Sequence, residues 1–507
     1  MSTARAAAGS IETLEPRLVW RYFAGMAAVP RPSKREQQIR AHMRSLAGTL
    51  GLAAREDRVG NVLIEVPATA GRERAPTIIL QGHLDMVCEK NADVSHDFER
   101  EGIRLRVDAN AAGEPIVRAE GTTLGADNGV GVALALAAAT DPAAVHGPLE
   151  ILCTVDEEAG MTGAKNLDPS FVRGRRMLNL DSEEDDALYI GCAGGADTTV
   201  AWSLPLQPVG LGSSALRVGV SGLRGGHSGC DIHLNRGSAI ALLVQVLLKP
   251  DLPQVRIAAI SGGSKRNAIP REAHALVILP SDAAAELAAI AGAVQEQARA
   301  DGEAGCRITV EPATTAAALA APDSRRILDA LAALPHGVQA VVAEMPGFVQ
   351  TSNGATTVAS RVDGQTIHVE IGCLSRGSHR GDLDTTLRRI AAIGRLAGAR
   401  IQRGNEYPGW APNPASPTLA VCRRAYERVF GHAPRIASIH AGLECGIIGE
   451  RIHGMDMVSL GPNIRGAHSP DEIVEVASVA RVYKLLLAVL ADLSAHDPAG
   501  TPRGGAS

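Results

Sequence analysis

The chain has 507 residues, 45% apolar and 21% charged, the balance of a soluble globular protein long enough to bury a large core. Its formal net charge is −5 and only 3% of its residues are aromatic. Those figures exclude a global basic field for nucleic acid or anionic lipid, and aromatic platforms for single-stranded nucleic acid.

Eight cysteines are spread along the chain with no Cys-x-x-Cys pair. Most sit in apolar runs, as small buried hydrophobes in a reducing cytosol do. Met1 to Ser10 is Ala-rich and has no apolar stretch leading to a cleavage site. No run approaches 18 apolar residues, so no membrane span is expected. A cytoplasmic protein is the expectation.

In chain order, Ile11 to Leu52 reads as two helices, broken at Arg31-Pro32 with Ser33 as the second helix's N-cap. Strand-length apolar runs follow at 62–66, 77–80, 150–155 and 177–180, with a helix over 129–140. The pattern changes near residue 198. Strands are predicted at 216–221, 255–260, 275–279, 308–310 and 366–371, and helices at 237–249, 282–300, 324–334 and 383–397. From residue 398 the first pattern returns, with a helix over 417–430, a strand at 457–460 and a helix over 471–493. The fold class is α/β: a discontinuous domain with a mixed sheet flanked by helices, formed by 12–197 and 398–493, around an α+β insert at 198–397. A disordered tail is expected over 494–507.

Acidic and histidine residues gather at the carboxyl ends of the first domain's strands. His83 and Asp85 follow the run from Ile78, Glu157 and Glu158 follow the run from Glu150, and Asp181 follows the run from Met177. Asp127 leads into an apolar helix, and His468 follows the strand at Met457. Carboxyl ends of strands in such sheets converge on one crevice. Imidazole and carboxylate without thiolate suit hard-to-borderline divalent ions, and two ions need a shared carboxylate. Of the Glu157–Glu158 pair, one then ligates and one serves as base, because successive strand residues point to opposite sides. Asp85 lies on the side of His83 and is placed to fix its tautomer. Gly125 to Gly129 is no phosphate loop, since neither glycine-rich phosphate motif is present.

Taken together, Gly82-His83-Leu84-Asp85, Leu124-Gly125-Ala126-Asp127-Asn128-Gly129, Glu157-Glu158-Ala159-Gly160, Asn179-Leu180-Asp181 and Ala467-His468-Ser469-Pro470 resemble the co-catalytic zinc aminopeptidase and carboxypeptidase clan. Arg224-Gly225-Gly226-His227, Arg266-Asn267 and His440-Ala441-Gly442-Leu443-Glu444 narrow the resemblance to its aminoacyl-histidine dipeptidases, over about residues 12–493. The resemblance implies metal-dependent hydrolysis of dipeptides, including β-alanyl-histidine and other aminoacyl-histidine dipeptides. It implies two divalent ions, zinc first, with manganese or cobalt also accepted. His83, Asp127 and Asp181 would hold one ion, and Asp127, Glu158 and His468 the other. Glu157 would be the general base, Asp85 the partner of His83, and His227 the oxyanion donor. Asn267, Arg376 and Glu444 would bind substrate. The peptide bond after Asp127 would be cis. The insert would be a lid and dimerisation domain of a homodimer. Two other readings share the scaffold: an N-acyl amino acid deacylase, and a non-catalytic dimeric peptide-binding homologue. Retention of Glu157 with all five ligand positions speaks against the second.

Overall fold

The computed structural model describes residues 11–249, 255–342 and 348–495. The leader before residue 11, and the tail from residue 496 on, lie outside the described residues. Residues 494 and 495 end the last helix, Val476–Ala495.

The chain divides into two compact units. The first comprises residues 1–191, 412–438 and 443–507; the second comprises 192–411 and 439–442. The second unit thus begins six residues before position 198, and its main segment runs past 397.

The first unit is built on an eight-stranded sheet. Its strands in chain order are β1 (Ala53–Glu56), β2 (Val62–Val66), β3 (Ile78–His83), β4 (Leu149–Thr154), β5 (Arg176–Asn179), β6 (Ala187–Cys192), β7 (Arg435–Ile439) and β8 (Asp456–Ser459). The spatial order is β1-β2-β4-β3-β5-β8-β6-β7. The four central strands run parallel, with β3 between β4 and β5, and β8 beyond β5. Strands β3 and β4 are buried at every residue, as strands covered on both faces are. The helix Ala126–Thr140 buries twelve of its fifteen residues, which is why its sequence is apolar on every side. It packs too close for side chains at two glycines. A Cβ on Gly82 would lie 2.1 Å from Asn128 Oδ1, and one on Gly131 2.1 Å from the Leu180 carbonyl.

The second unit carries a nine-stranded antiparallel sheet, with the long hairpin Val349–Asp363 and Thr366–Gly377 at its middle. Helices Ala239–Leu247, Ala284–Ala300, Ala321–Ala333 and Arg380–Leu396 accompany it and share one apolar core with it. No helix among the described residues is long and apolar enough to cross a membrane.

Three local expectations are corrected. Ser33 caps no helix: the second helix is Gln37–Thr49 with Glu36 at its N-cap position, and Ser33 Oγ donates instead to Asp85 Oδ2 at 2.7 Å. The final helix starts at Val476, because Ile473–Glu475 pairs as a strand with Pro115–Ala119. Glu157 and Glu158 lie on no strand. Asp156 takes a left-handed φ of 55°, and the glutamates open a four-residue helical turn, Glu157–Gly160. Their side chains diverge through the helical step rather than through strand alternation.

Candidate metal centre

Strand β3 ends on His83, β4 ends three residues before Glu157, and β5 ends two residues before Asp181. Their parallel register brings these three ends side by side. Asp127 lies in the first turn of the buried helix, where the Asp127–Asn128 peptide is cis. His468 comes from the connection between β8 and Ile473–Glu475, with a left-handed φ of 64°.

These side chains form one cluster. The two oxygens of Asp127 are divided between the two histidines: Oδ1 is 3.1 Å from His83 Nε2, and Oδ2 is 3.2 Å from His468 Nε2. His83 Nε2 also lies 3.4 Å from Asp181 Oδ1, and His468 Nε2 lies 3.1 Å from Glu158 Oε2. Ligand atoms of His83, Asp127 and Asp181 all fall within 4.8 Å of one another, as do those of Asp127, Glu158 and His468. A third such group is His83, Glu157 and Glu158. Glu158 Oε1 and Asp181 Oδ1 are buried without a hydrogen-bond partner.

Buried carboxylates dominate the electrostatics of the cluster. Burial and neighbouring carboxylates push Asp181 up to about 6. Burial, with Asp181, Glu444 and Glu158 nearby, holds Glu157 well above the usual carboxylate range, although His83 opposes it. Burial also raises Asp127, but its bonds to His468 and His83 outweigh this and leave it far below that range. Hydrogen bonds to Asp127 and Glu158 carry His468 up to about 11. Burial opposes a charge on His83, yet Asp181, Asp127 and Asp85 hold it well above its ordinary value. Asp127, Glu157, Glu158 and Asp181 gather four carboxylates around two imidazoles, a charge that two divalent cations would balance.

Asp85 does more than the sequence suggested. His83 Nδ1 lies 3.0 Å from the Asp85 main-chain carbonyl and 3.5 Å from its Oδ1. The carboxylate accepts from the Glu157 and Glu158 amides at 3.0 and 3.2 Å, and from Ser33. It therefore ties the turn carrying both glutamates to the end of β3. Glu36 accepts from the Asp156 amide at 2.9 Å and fixes the turn from behind.

Sequence reasoning passed over Glu472 and Arg31. Glu472 is 2% exposed and accepts from four consecutive amides, those of Leu124, Gly125, Ala126 and Asp127, at 2.7, 3.0, 2.8 and 3.3 Å. It lies four residues after His468, so one short segment supplies a histidine and the clamp for Asp127. Buried Arg31 donates to the carbonyls of Leu84, Asp85 and Gly125. The signals were present in Pro470-Asp471-Glu472 and Arg31-Pro32, but a single acid or arginine does not reveal which backbone it will hold.

Glu444 is fully buried. Its Oε2 accepts from Gln81 Nε2 at 2.7 Å and Thr154 Oγ1 at 2.5 Å, and Asn179 donates to Gln81. This network ties β3, β4 and β5 together just before their functional ends. Burial pushes Glu444 up to about 7.

In the second unit, His227, Asn267 and Arg376 come together. His227 pairs with Ala268 across a two-residue ladder, and the Ser228 amide donates to the Asn267 carbonyl at 2.8 Å. His227 Nδ1 accepts from the Gly229 and Cys230 amides at 3.2 and 2.9 Å, which leaves the ring proton on Nε2. Arg376 Nη2 is 3.4 Å from that Nε2, and Nη1 donates to Tyr407 at 3.2 Å. Asn267 is exposed, and Arg376 is 5% exposed. His440 Nε2 is 2.7 Å from Ser352 Oγ, and burial beside the Arg376 cation lowers it to about 3.

A family model described as peptidase family M20/M25/M40 matches residues 79–492. The chain is 39% identical over 490 residues to the cytosol non-specific dipeptidase of Escherichia coli (strain K12), covering 96% of this chain and 99% of that one. Among solved structures it is similar to aminoacylhistidine dipeptidase from Vibrio alginolyticus, with a TM-score of 0.84 and 38% identity over 95% of this chain and 98% of that one. It shares its fold with the aminopeptidase PepT from Bacillus cereus ATCC 10987, at a TM-score of 0.55 and 17% identity over 95% and 99% of the two chains. A family match across most of the chain, on the strands that assemble this cluster, makes the chain a member of peptidase family M20/M25/M40.

Proposed function

We propose that this chain is a metal-dependent dipeptidase whose centre takes two divalent ions, zinc first, with manganese or cobalt also accepted. The observation that carries the reading is Asp127: its two oxygens address two different histidines, as a bridging carboxylate does. Glu158 Oε1, buried with no hydrogen-bond partner, and Asp181 Oδ1, buried and facing His83 Nε2 at 3.4 Å, fit a bound cation. In this arrangement His83, Asp127 and Asp181 would hold one ion, and Asp127, Glu158 and His468 the other. Glu157 is left over beside them, which a base requires. When bound, the ions acidify water and polarise the scissile carbonyl.

The protein's own groups do the rest. His83 keeps its proton on Nδ1, toward the Asp85 carbonyl, and turns the Nε2 lone pair into the centre. Glu157 takes the proton from water at its carboxylate and returns it to the leaving amine. His227, with its proton on Nε2, is the assigned donor to the oxyanion. Asn267 and Arg376 are assigned to the substrate's polar ends, arginine matching a carboxylate in a bidentate pair. Aminoacyl-histidine dipeptides are the proposed substrates, on the strength of the Vibrio alginolyticus relative's name. The proposed working form is a cytoplasmic homodimer.

The test is Glu157→Gln, assayed on a dipeptide panel with bound metal measured in parallel. The reading predicts turnover down by about 10²–10⁴-fold with metal content unchanged. Near-normal turnover would remove Glu157 as the base. Faster hydrolysis of N-acetyl amino acids than of any dipeptide would favour the deacylase reading.

A further inference from the structure

Arg31 is 2% exposed, and its guanidinium makes no ion pair among the described residues. It donates to three main-chain carbonyls instead. Nη1 reaches those of Leu84 and Asp85 at 3.0 and 3.3 Å, and Nη2 reaches that of Gly125 at 2.5 Å. A buried cation that meets only neutral acceptors is costly to desolvate, so its place asks for a reason beyond packing.

The three carbonyls supply one. Leu84 and Asp85 directly follow His83, and Gly125 stands two residues before Asp127. The Asp85 carbonyl is also 3.0 Å from His83 Nδ1, so the guanidinium and the imidazole meet on one oxygen. Two glycines leave room for the fork. A Cβ on Gly125 would lie 2.4 Å from Nη2, and one on Gly129 2.7 Å from it. Arg31 therefore spans the gap between the segment that carries His83 and the loop that carries Asp127.

The other ligands are tied by other bonds. Asp181 goes with the Asp127 side, because the Leu180 carbonyl accepts from Asn128 Nδ2 at 2.6 Å. Glu472, four residues after His468, grips the same loop by its amides, that of Gly125 included. Gly125 is thus held by an anion at its N–H and by a cation at its C=O. Loosening the cation frees His83 from Asp127 and Asp181, but leaves Asp127 tied to the His468 segment.

We propose that Arg31 is a positioning residue that sets the gap between His83 and Asp127, and so governs how tightly the ion those two would share is held, while Glu472 serves the ion on His468. The inference rests on the two-ion reading of the same site. Lysine cannot replace this arginine, because one ammonium cannot serve carbonyls on both sides of the gap.

The experiment titrates chelated full-length protein with cobalt(II), whose visible absorption reports each ion's binding and ligand field. Wild type is compared with Arg31→Lys and with Gly129→Ala, which keeps the guanidinium but crowds Nη2. The control is Met43→Ala, which opens a cavity under the helix Gln37–Thr49 in the same unit. Melting temperatures of the metal-free proteins put the variants on one scale of stability. Arg31→Lys and Gly129→Ala should each weaken one of the two ions by about 10- to 100-fold and shift its absorption band, with the other ion changed by no more than about threefold. Met43→Ala should leave both ions and both bands as in wild type, whatever it does to the melting temperature. If Arg31→Lys does not fold, Gly129→Ala decides alone. Equal weakening of both ions, or no weakening beyond that of Met43→Ala, would overturn the assignment while leaving the two-ion reading standing. A wild-type protein that takes up fewer than two ions would instead remove the reading beneath it.

Discussion

Replacing Glu472 with Gln tests how the shared aspartate is held. In the protein, Oε2 accepts from the Leu124 and Gly125 amides and Oε1 from the Ala126 and Asp127 amides. A glutamine keeps one oxygen and turns an NH2 group toward the other two donors. Two buried amides then lose their acceptor, at about 1–3 kcal/mol each. Against this, an ionised carboxylate no longer has to be buried, and burial is what raises Glu472 above its ordinary value. A net loss of about 2–3 kcal/mol follows, seen as a fall of roughly 3–5 °C in melting temperature for a unit of this size. Because the released backbone carries Asp127, metal affinity should fall with stability, by about 10- to 100-fold. The assay pairs thermal unfolding with competition against a metal-binding dye. Glu472→Ala, which removes all four acceptors, should be worse on both counts. A Glu472→Gln protein within about 0.5 kcal/mol of wild type, with unaltered metal affinity, would refute the reasoning.

Two further outcomes follow from the second unit. His440 is held at about 3 by burial and by Arg376, with His227 and His233 adding to the effect. Its folded value lies below its ordinary one, so its stabilising contribution is complete above about pH 6.5 and is lost as pH falls toward 3. Between about pH 6 and pH 4 it steepens the acid-side decline by about 1.4 kcal/mol per pH unit. His440→Gln should flatten that decline in denaturant unfolding measured across this range, and an unchanged slope would contradict the value. His227→Ala should lower kcat by about 10²–10³-fold with KM little changed. A change confined to KM would assign His227 to substrate binding instead.

The regular elements were the most legible part of the chain. The helix predicted over 417–430 is the observed Pro417–Phe430. The central strands were also legible, because β3 and β4 are built around the apolar runs Ile78-Ile79-Leu80 and Ile151-Leu152-Cys153. Val349–Asp363 was missed: its fifteen residues are mostly Thr, Ser, Ala and Asn, and their burial comes from pairing within a wide sheet rather than from apolar content. Ile473–Glu475 was read as helix because its apolar residues fit either period and only the partner Pro115–Ala119 decides. In the site, the histidines and carboxylates stood out because their chemistry is unusual at strand ends. Glu472, Ser33, Glu36 and Gln81 did not, because each acts on backbone or side chains far away in sequence. Glu444 was noticed, but nothing local says that it will be sealed beneath three strand ends.

Two ions bridged by Asp127 are the central claim, and metal titration tests it directly. Chelated protein is loaded stepwise with zinc, and bound metal and alanyl-histidine hydrolysis are followed together, for wild type and for Asp127→Ala. The account predicts that wild type binds two ions per chain and reaches full turnover on the second equivalent, whereas Asp127→Ala fails to hold the pair and stays inactive. Full turnover in the chelated protein, or an Asp127→Ala protein that binds two ions and hydrolyses dipeptide normally, would contradict it.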